Sequence, residues 1–180
     1  MRSFIAIDID KSVRKKIVKI QEEIGKAGKM KFVAPENLHL TLKFLGDISS
    51  EQCKNVKNEL KFIAKQIEPF RININGVGAF PPSQSYIRVI WLGIKEGYED
   101  MKELLEKINK IELGKRADVP HLTIARVKMV YNKELLVKKI KSLSNVEVGY
   151  IDIKNIKLKK SVLTSTGPIY KDLSVVKLGE

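Results

Sequence analysis

The sequence has a single cysteine, Cys53, and only two histidines among its 180 residues. One cysteine excludes an intramolecular disulfide and a zinc site built from several cysteines. The apolar runs are far too short to span a bilayer, so we expect no membrane association. The first residues carry acids within their apolar run and lack a small-residue cleavage site. We therefore expect no signal peptide and a cytoplasmic protein.

Acidic residues are the minority charge, with 21 Asp and Glu against 34 Lys and Arg, which leaves a formal net charge of +13. Such a surplus attracts polyanions and suggests a nucleic acid partner. Most of the surplus is lysine spread along the chain, whereas the reading of base edges favours arginine. Any nucleic acid contact should therefore be made with the phosphate backbone. The same composition also fits lysines that merely solvate helix faces, so charge alone does not decide.

Strand and helix patterns alternate along a chain that has neither a low-complexity segment nor a long linker, which indicates one domain over 1–180. Ser49 followed by Gln52 is typical of a capping box at the start of the second helix. The strand-helix-strand pattern occurs in both halves, which favours an α+β fold of two intertwined, pseudo-symmetric lobes. Strands are predicted at 3–9, 38–45, 70–79, 86–92, 120–128, near 147–158 and at 170–177, and helices at 11–27, 50–66, 97–111 and 133–143.

The two histidines occur in the same local pattern, since His39 is followed two residues later by Thr41, and His121 by Thr123. Alternate side chains of a strand share a face, so each imidazole should project with a hydroxyl while the flanking apolar residues face the core. Two such pairs facing each other suit an in-line displacement at phosphorus, which needs a base on the attacking oxygen and an acid on the leaving oxygen. Imidazole titrates near neutral pH, and threonine hydroxyls can donate to the non-bridging oxygens. A strained 2′,3′-cyclic phosphate needs no metal in such a site.

Two other interpretations of the histidines stay open at this point. Each imidazole could cap local polar groups on a half-exposed strand. A zinc site would need carboxylates from elsewhere in the chain, because no His-x-x-x-His or similar spacing exists. We favour the catalytic interpretation and expect neither a metal nor another cofactor.

At these residues the sequence resembles the 2H phosphoesterase superfamily, named for two His-x-Thr-x motifs. More narrowly, it resembles the bacterial and archaeal RNA 2′,3′-cyclic phosphodiesterases, also described as 2′-5′ RNA ligases. The resemblance covers nearly the whole chain, because its segments are 2–6, 37–46, 120–126 and Ser161 with 167–170. One His-x-Thr-x motif is weak, but two in these flanking sequences are a specific signal.

The resemblance implies a bilobal α+β fold, with two pseudo-symmetric lobes of antiparallel sheet, helices outside and a central cleft. It implies that His39 is the general acid and His121 the general base. The implied reaction is hydrolysis of RNA 2′,3′-cyclic phosphate ends to a 2′-phosphate, without metal or nucleotide cofactor. Joining of RNA ends through a 2′-5′ bond would follow from the same chemistry.

Two alternative functions stay open. The chain could be a phosphodiesterase of 2′-5′ oligonucleotides or small cyclic nucleotides, or a non-catalytic module that binds RNA or nucleotides through the same cleft. Binding alone would not need two proton-transfer groups, so the pair of His-x-Thr-x motifs argues against the module. We expect RNA with 2′,3′-cyclic phosphate ends as the partner, and a monomeric protein.

Two basic residues near the motifs are candidate phosphate ligands. The resemblance implies that Arg126 contacts phosphate, and the competing interpretation is a surface ion pair. Strict alternation, however, places Arg126 on the face opposite His121, so the strand must end or bulge before it. Lys43 is expected on the face of His39, either as a phosphate ligand or as a solvated lysine at the rim.

Three aromatic residues are candidates for base stacking or for packing. Phe4 and Trp91 could stack on a base, and the competing interpretation places both in the core. Tyr170 follows Gly167 and Pro168, and is expected to anchor a turn.

Overall fold

The computed structural model describes residues 1–83, 86–165 and 167–180. Its strands are β1 (Arg2–Asp8), β2 (Gly28–Phe32), β3 (His39–Asp47), β4 (Phe70–Phe80), β5 (Val89–Ile94), β6 (Leu122–Val130), β7 (Glu147–Ile153), β8 (Asn155–Thr164) and β9 (Gly167–Lys177). Its helices are α1 (Lys11–Gly25), α2 (Ser50–Ala64), α3 (Tyr98–Asn109) and α4 (Lys133–Ser142), with a 3-10 turn at Pro35–Asn37.

The strands form two antiparallel sheets, one in the order β3-β1-β8-β9 and the other in the order β2-β6-β5-β4-β7. The chain passes back and forth between them, since β1 and β3 lie in the first sheet while β2, between them in sequence, lies in the second. Only Lys154 separates β7 from β8, which also belong to different sheets. The predicted α+β fold with two antiparallel sheets is confirmed.

The helices pack on the sheets through the apolar faces that the sequence predicts. Helices α1 and α4 contact the five-stranded sheet, whereas α2 lies against β8 and β9. In α1 the residues at helical spacing are all buried, from Val13 to Ile24. The predicted capping box at the start of α2 is present, because the side chains of Ser49 and Gln52 each accept a hydrogen bond from the other's backbone N–H. In the described part of the chain, no helix combines the length and apolar character needed to cross a membrane.

Strand β2 has no counterpart among the predicted strands. It carries two exposed lysines in five residues. Among the described strands it pairs with β6 alone, so it is an edge strand. Exposed lysines are typical of such edges, because they discourage pairing with another chain. They also remove the alternation of apolar residues by which a strand is predicted.

A buried amide joins α1 to the five-stranded sheet. Gln21 is 5% exposed, and its Nε2 donates to the carbonyl oxygens of Val33 and Ile124, both at 2.9 Å. The backbone N–H of Val33 donates to the same Ile124 oxygen at 3.0 Å. The side chain of Gln21 therefore holds β6 at Ile124, one residue after Thr123.

We predict that Gln21→Leu lowers the free energy of unfolding by about 1–3 kcal/mol, because the substitution removes the buried donor that the carbonyls of Val33 and Ile124 share. Chemical denaturation of the purified variant would measure this loss. Gln66→Leu in the exposed segment after α2 is the matched control and should change stability little. Equal effects of the two substitutions would show that the buried amide has no special role.

Candidate active site

The two histidines lie at corresponding places in the two sheets. His39 is the first residue of β3, and His121 immediately precedes β6. Strands β3 and β6 contact each other between the sheets, and an antiparallel bridge joins Phe44 of β3 to Lys115. The strands that carry the two motifs therefore meet where the sheets meet.

Each imidazole makes the same hydrogen bond. Nδ1 of His39 lies 2.6 Å from the carbonyl oxygen of Asn37, and Nδ1 of His121 lies 2.8 Å from that of Val119. A carbonyl oxygen can only accept, so Nδ1 carries the hydrogen in both rings. Nε2 is then the nitrogen that gains or loses a proton. A neutral ring can accept a proton there as a base, and a charged ring can donate one as an acid.

Two aromatic rings fix the position of His39. The ring of Phe4 lies 5.1 Å from it, and the ring of Tyr170 lies 5.2 Å away in an edge-on arrangement. Phe4 is 4% exposed, so its ring has no open face on which a base could stack. This burial agrees with the interpretation that Phe4 belongs to the core. Tyr170 lies within β9, so the prediction that it anchors a turn is wrong. Its contact with His39 joins β9 and β3, the two edge strands of the four-stranded sheet. Local sequence patterns do not predict a contact between residues so far apart in the chain.

A second aromatic pair lies around His121. The ring of Phe80 is 5.0 Å away in an edge-on arrangement, and that of Trp91 is 6.2 Å away. The indole of Trp91 lies on Gly78, where any Cβ would overlap its six-membered ring. Trp91 therefore packs beside the histidine, and Gly78 makes room for it. Phe80 is not among the residues predicted from the sequence, because nothing in its local pattern points to the site.

The threonines take the predicted places. Leu40 and Leu42 are buried, whereas Thr41, between them, is partly exposed on the face of His39. Thr123 is likewise partly exposed between buried neighbours. Each hydroxyl thus lies on the same strand face as its histidine, as alternation predicts.

Arg126 reaches this face through a bulge. Thr123 and Ala125 pair with consecutive residues of β5, so Ile124 is the extra residue. Ile124 and Ala125 are both buried, and Arg126 is exposed. A bulge shifts the alternation by one residue, so Arg126 shares the face of Thr123. The predicted bulge before Arg126 is confirmed.

The charge of Arg126 acts across the two sheets. Burial raises the pKa of Tyr170, and the positive charges of Arg126, Arg2 and Lys159 oppose that rise. Arg126 of the five-stranded sheet therefore lies near the phenol that contacts His39 in the other sheet. The guanidinium belongs to the region shared by both motifs.

Lys43 does not lie beside His39, and that prediction is wrong. Thr41 and Lys43 pair with consecutive residues of β1, so Leu42 is an extra residue in β3. This bulge turns Lys43 inward, where it is 3% exposed and donates from Nζ to the carbonyl oxygen of Asn109 at 3.1 Å. Burial and the charge of Arg116 lower its pKa. Simple alternation fails at this residue because the sequence does not reveal the bulge.

A cluster of four charges borders His39. Lys159 contacts Asp8 at 2.9 Å and Asp172 at 2.6 Å, and Lys157 contacts the same two carboxylates at 2.8 and 2.7 Å. Asp8 pairs directly with His39 across β1 and β3. Both lysines are already paired, so the cluster is close to neutral as a whole.

The pKa of His39 lies below its usual value. Burial is the main cause, since a charged ring loses hydration there. The bond to the Asn37 carbonyl opposes this effect, Lys159 adds to it, and Asp8 opposes it.

In the described segments 1–83, 86–165 and 167–180, no three His, Cys, Asp or Glu side chains are grouped so that they could hold a metal ion.

Comparison with known proteins finds a matching family profile and similar proteins of nearly the same length. The profile described as LigT like Phosphoesterase matches residues 7–91 and 93–170. A protein named RNA 2′,3′-cyclic phosphodiesterase from Methanothermobacter thermautotrophicus is 40% identical over 99% of both chains. A protein of the same name from Methanocaldococcus jannaschii is 42% identical over 95% of this chain and 97% of its own.

Solved structures share the architecture. A crystal structure of a Thermus thermophilus protein matches with a TM-score of 0.76 and 28% identity, over 99% of this chain and 98% of that one. Escherichia coli LigT complexed with 3′-AMP matches with a TM-score of 0.70 over 99% and 98% of the chains. Its identity is 23%, so this second likeness concerns the fold alone.

We predict that His39 titrates below about pH 6.5 in the free protein, because burial disfavours its charged form. The unfolded chain takes up this proton near pH 6.5, so below that pH it binds more protons than the folded protein does. Stability therefore falls as the pH drops from about 6.5 toward the folded-state pKa of His39.

NMR titration of the two imidazoles would measure this pKa, and a His121 variant would assign the signals. Added inorganic phosphate should raise the pKa of His39, since an adjacent anion favours the charged ring. A pKa at or above about 6.5 in the phosphate-free protein would contradict the prediction.

Proposed function

Because the chain belongs to the LigT-like phosphoesterases of the 2H phosphoesterase superfamily, we propose that it hydrolyses 2′,3′-cyclic phosphates at RNA ends to 2′-phosphates. The observation that carries the proposal is the matched pair of imidazoles. Each has Nδ1 bound to a backbone carbonyl and Nε2 left for proton transfer, and their strands meet between the sheets. The names of the full-length relatives support the substrate class.

The proposed reaction transfers two protons on opposite sides of phosphorus. Nε2 of His121 takes a proton from water as its oxygen bonds to phosphorus. Nε2 of His39 gives a proton to O3′ as the bond between phosphorus and O3′ breaks. The bond to O2′ stays intact, so the product is a 2′-phosphate with a free 3′-hydroxyl. Exchange with solvent then returns both rings to their starting states.

Three further side chains are suited to stabilise the charge that develops on phosphorus. The hydroxyls of Thr41 and Thr123 lie on the faces of the two histidines and can donate to the non-bridging oxygens. The guanidinium of Arg126 lies on the face of Thr123 and can donate charge-assisted hydrogen bonds to phosphate oxygens. These donors strengthen as the oxygens gain charge, which favours the transition state over bound substrate.

The depressed pKa of His39 also fits an acid that acts on an anion. In the free protein its ring is mostly neutral near pH 7, but the charge of a bound phosphodiester favours the protonated form. Binding of substrate would then favour protonation of His39. A group that loses this proton easily is also a good donor to a leaving alkoxide.

We expect the purified protein to hydrolyse a short RNA that ends in a 2′,3′-cyclic phosphate in the presence of EDTA, because imidazoles supply the acid and the base. Chromatography of the products should show a 2′-phosphate and no 3′-phosphate. Linear 2′-5′ oligonucleotides and small cyclic nucleotides are the comparison substrates. Activity that EDTA abolishes and zinc or manganese restores would contradict the proposed chemistry, and preference for a comparison substrate would contradict the proposed substrate.

A second prediction separates the two histidines. His39→Ala should lose about 10²- to 10⁴-fold in rate on the natural substrate, because O3′ is a poor leaving group without a proton. A substrate with sulfur in place of O3′ needs no acid, so His39→Ala should recover much of its rate on it. His121→Ala should stay slow on both substrates, since water still lacks its base.

Single-turnover rates of both variants on both substrates would make the comparison, and their unfolding midpoints would confirm that they fold. Recovery of His121→Ala instead of His39→Ala would reverse the two roles. Recovery of neither would refute the division into acid and base.

A further inference from the structure

The segment 110–120 joins the end of α3 to His121 and carries the carbonyl that orients the His121 ring. Its described residues form neither a helix nor a strand, and most of them are exposed. Val119, which supplies the carbonyl, is itself 46% exposed. An exposed segment outside helices and strands is more mobile than they are unless other contacts hold its backbone. The position of the Val119 carbonyl therefore depends on the contacts that the rest of the segment makes.

The side chain of Asn109, the last residue of α3, supplies two of these contacts. Its Nδ2 donates to the carbonyl oxygen of Ala117 at 2.6 Å, and its Oδ1 accepts from the backbone N–H of Ala117 at 3.2 Å. One amide group thus pairs with both backbone polar groups of a single residue. These two bonds fix the backbone two residues before Val119.

Asn109 is held in turn by the strand that carries the first motif. Lys43 of β3 is buried and donates from Nζ to the carbonyl oxygen of Asn109 at 3.1 Å. The last carbonyls of a helix have no partner within it, and a lysine is a favourable donor to them. The next residue of β3, Phe44, accepts through its carbonyl from the N–H of Lys115 at 2.8 Å. Lys43 and Phe44 thus connect β3 to both ends of the structure that holds Ala117.

We propose that Asn109 is a positioning residue for His121, because it holds the backbone that places the Val119 carbonyl against Nδ1. This inference rests on the proposed function, in which Nε2 of His121 takes a proton from water. A neutral imidazole accepts a proton at Nε2 only when its hydrogen is on Nδ1. If the Val119 carbonyl moves away, the ring loses the acceptor that selects this tautomer, and part of the population carries the hydrogen on Nε2. Those molecules have no base for water.

The orienting carbonyl of His39 is held by a different contact. It belongs to Asn37, whose Nδ2 donates to the carbonyl oxygen of Pro168 in β9 at 3.1 Å. Loss of the Asn109 side chain should therefore leave the tautomer of His39 unchanged. The first histidine is thus an internal control for the second.

NMR of isotope-labelled protein tests the inference without a substrate, since nitrogen chemical shifts distinguish the two tautomers of each imidazole. At a pH where both rings are neutral, Asn109→Leu should shift His121 toward the tautomer with the hydrogen on Nε2 and leave His39 as it is. Asn55→Leu is the matched control, because Asn55 is exposed on α2. Unfolding midpoints would confirm that both variants fold. Asn109→Ala, which adds no branched side chain, replaces Asn109→Leu if the latter does not fold.

Kinetics tests the same link through catalysis. Asn109→Leu should lower kcat by about 10- to 100-fold with little change in KM, because a misplaced ring impairs proton transfer more than binding. The substrate with sulfur in place of O3′ should show the same loss, since it still needs the base. In a His121→Ala background the substitution should cause no further loss, because a positioning residue has no effect without the group that it positions.

Three results would overturn the inference. An unchanged tautomer of His121 in a folded Asn109 variant would show that the amide does not place the Val119 carbonyl. Equal shifts in both histidines would indicate a general loss of structure, and a loss of rate that persists in the His121→Ala background would assign Asn109 to another group. If the wild-type protein hydrolyses no cyclic phosphate, the proposed function has failed, whereas the NMR comparison still decides whether Asn109 positions His121.

Discussion

The site depends on a short hydrogen bond between each imidazole and the backbone carbonyl two residues before it. This bond assigns the hydrogen of the neutral ring to Nδ1, for His39 through Asn37 and for His121 through Val119. The acceptor that orients each ring is a backbone carbonyl, in contrast to sites where a carboxylate accepts this hydrogen bond. Because each bond lies within three consecutive residues, a strand that carries the motif carries its own orienting group. Two copies of such a strand therefore supply an acid and a base together with the acceptors that orient them.

The two bulges decide what else belongs to the site. Without them, plain alternation would place Lys43 on the face of His39 and would turn Arg126 away from His121. With them, Lys43 is buried and Arg126 joins the catalytic face. Gln21 holds the backbone at the bulge of β6 through Ile124. A buried amide in α1 therefore helps to determine where the guanidinium lies.

Local patterns predict the parts of the fold that depend on neighbouring residues. Periodicity locates the helices and most strands, and the two His-x-Thr-x motifs identify the central residues of the site. The same reasoning fails for β2, whose edge position replaces apolar residues with lysines. It also misses Phe80 and gives Tyr170 the wrong place, since both contact histidines far away in sequence. A bulge can be predicted from the sequence only where a known motif requires it. The second motif requires one before Arg126, whereas nothing in the sequence indicates the bulge before Lys43.

The interleaved order of the strands has a consequence for synthesis of the chain. The sheet that contains His39 is completed by β8 and β9, which follow the other seven described strands in sequence. Those strands supply Tyr170, which packs against His39, and Lys159, which pairs with Asp8. A nascent chain that ends before β8 has both histidines but lacks the partners that shape the surroundings of one of them. The half of the site around His39 can therefore form only after β8 and β9 have been synthesised, so a shorter nascent chain has an incomplete centre.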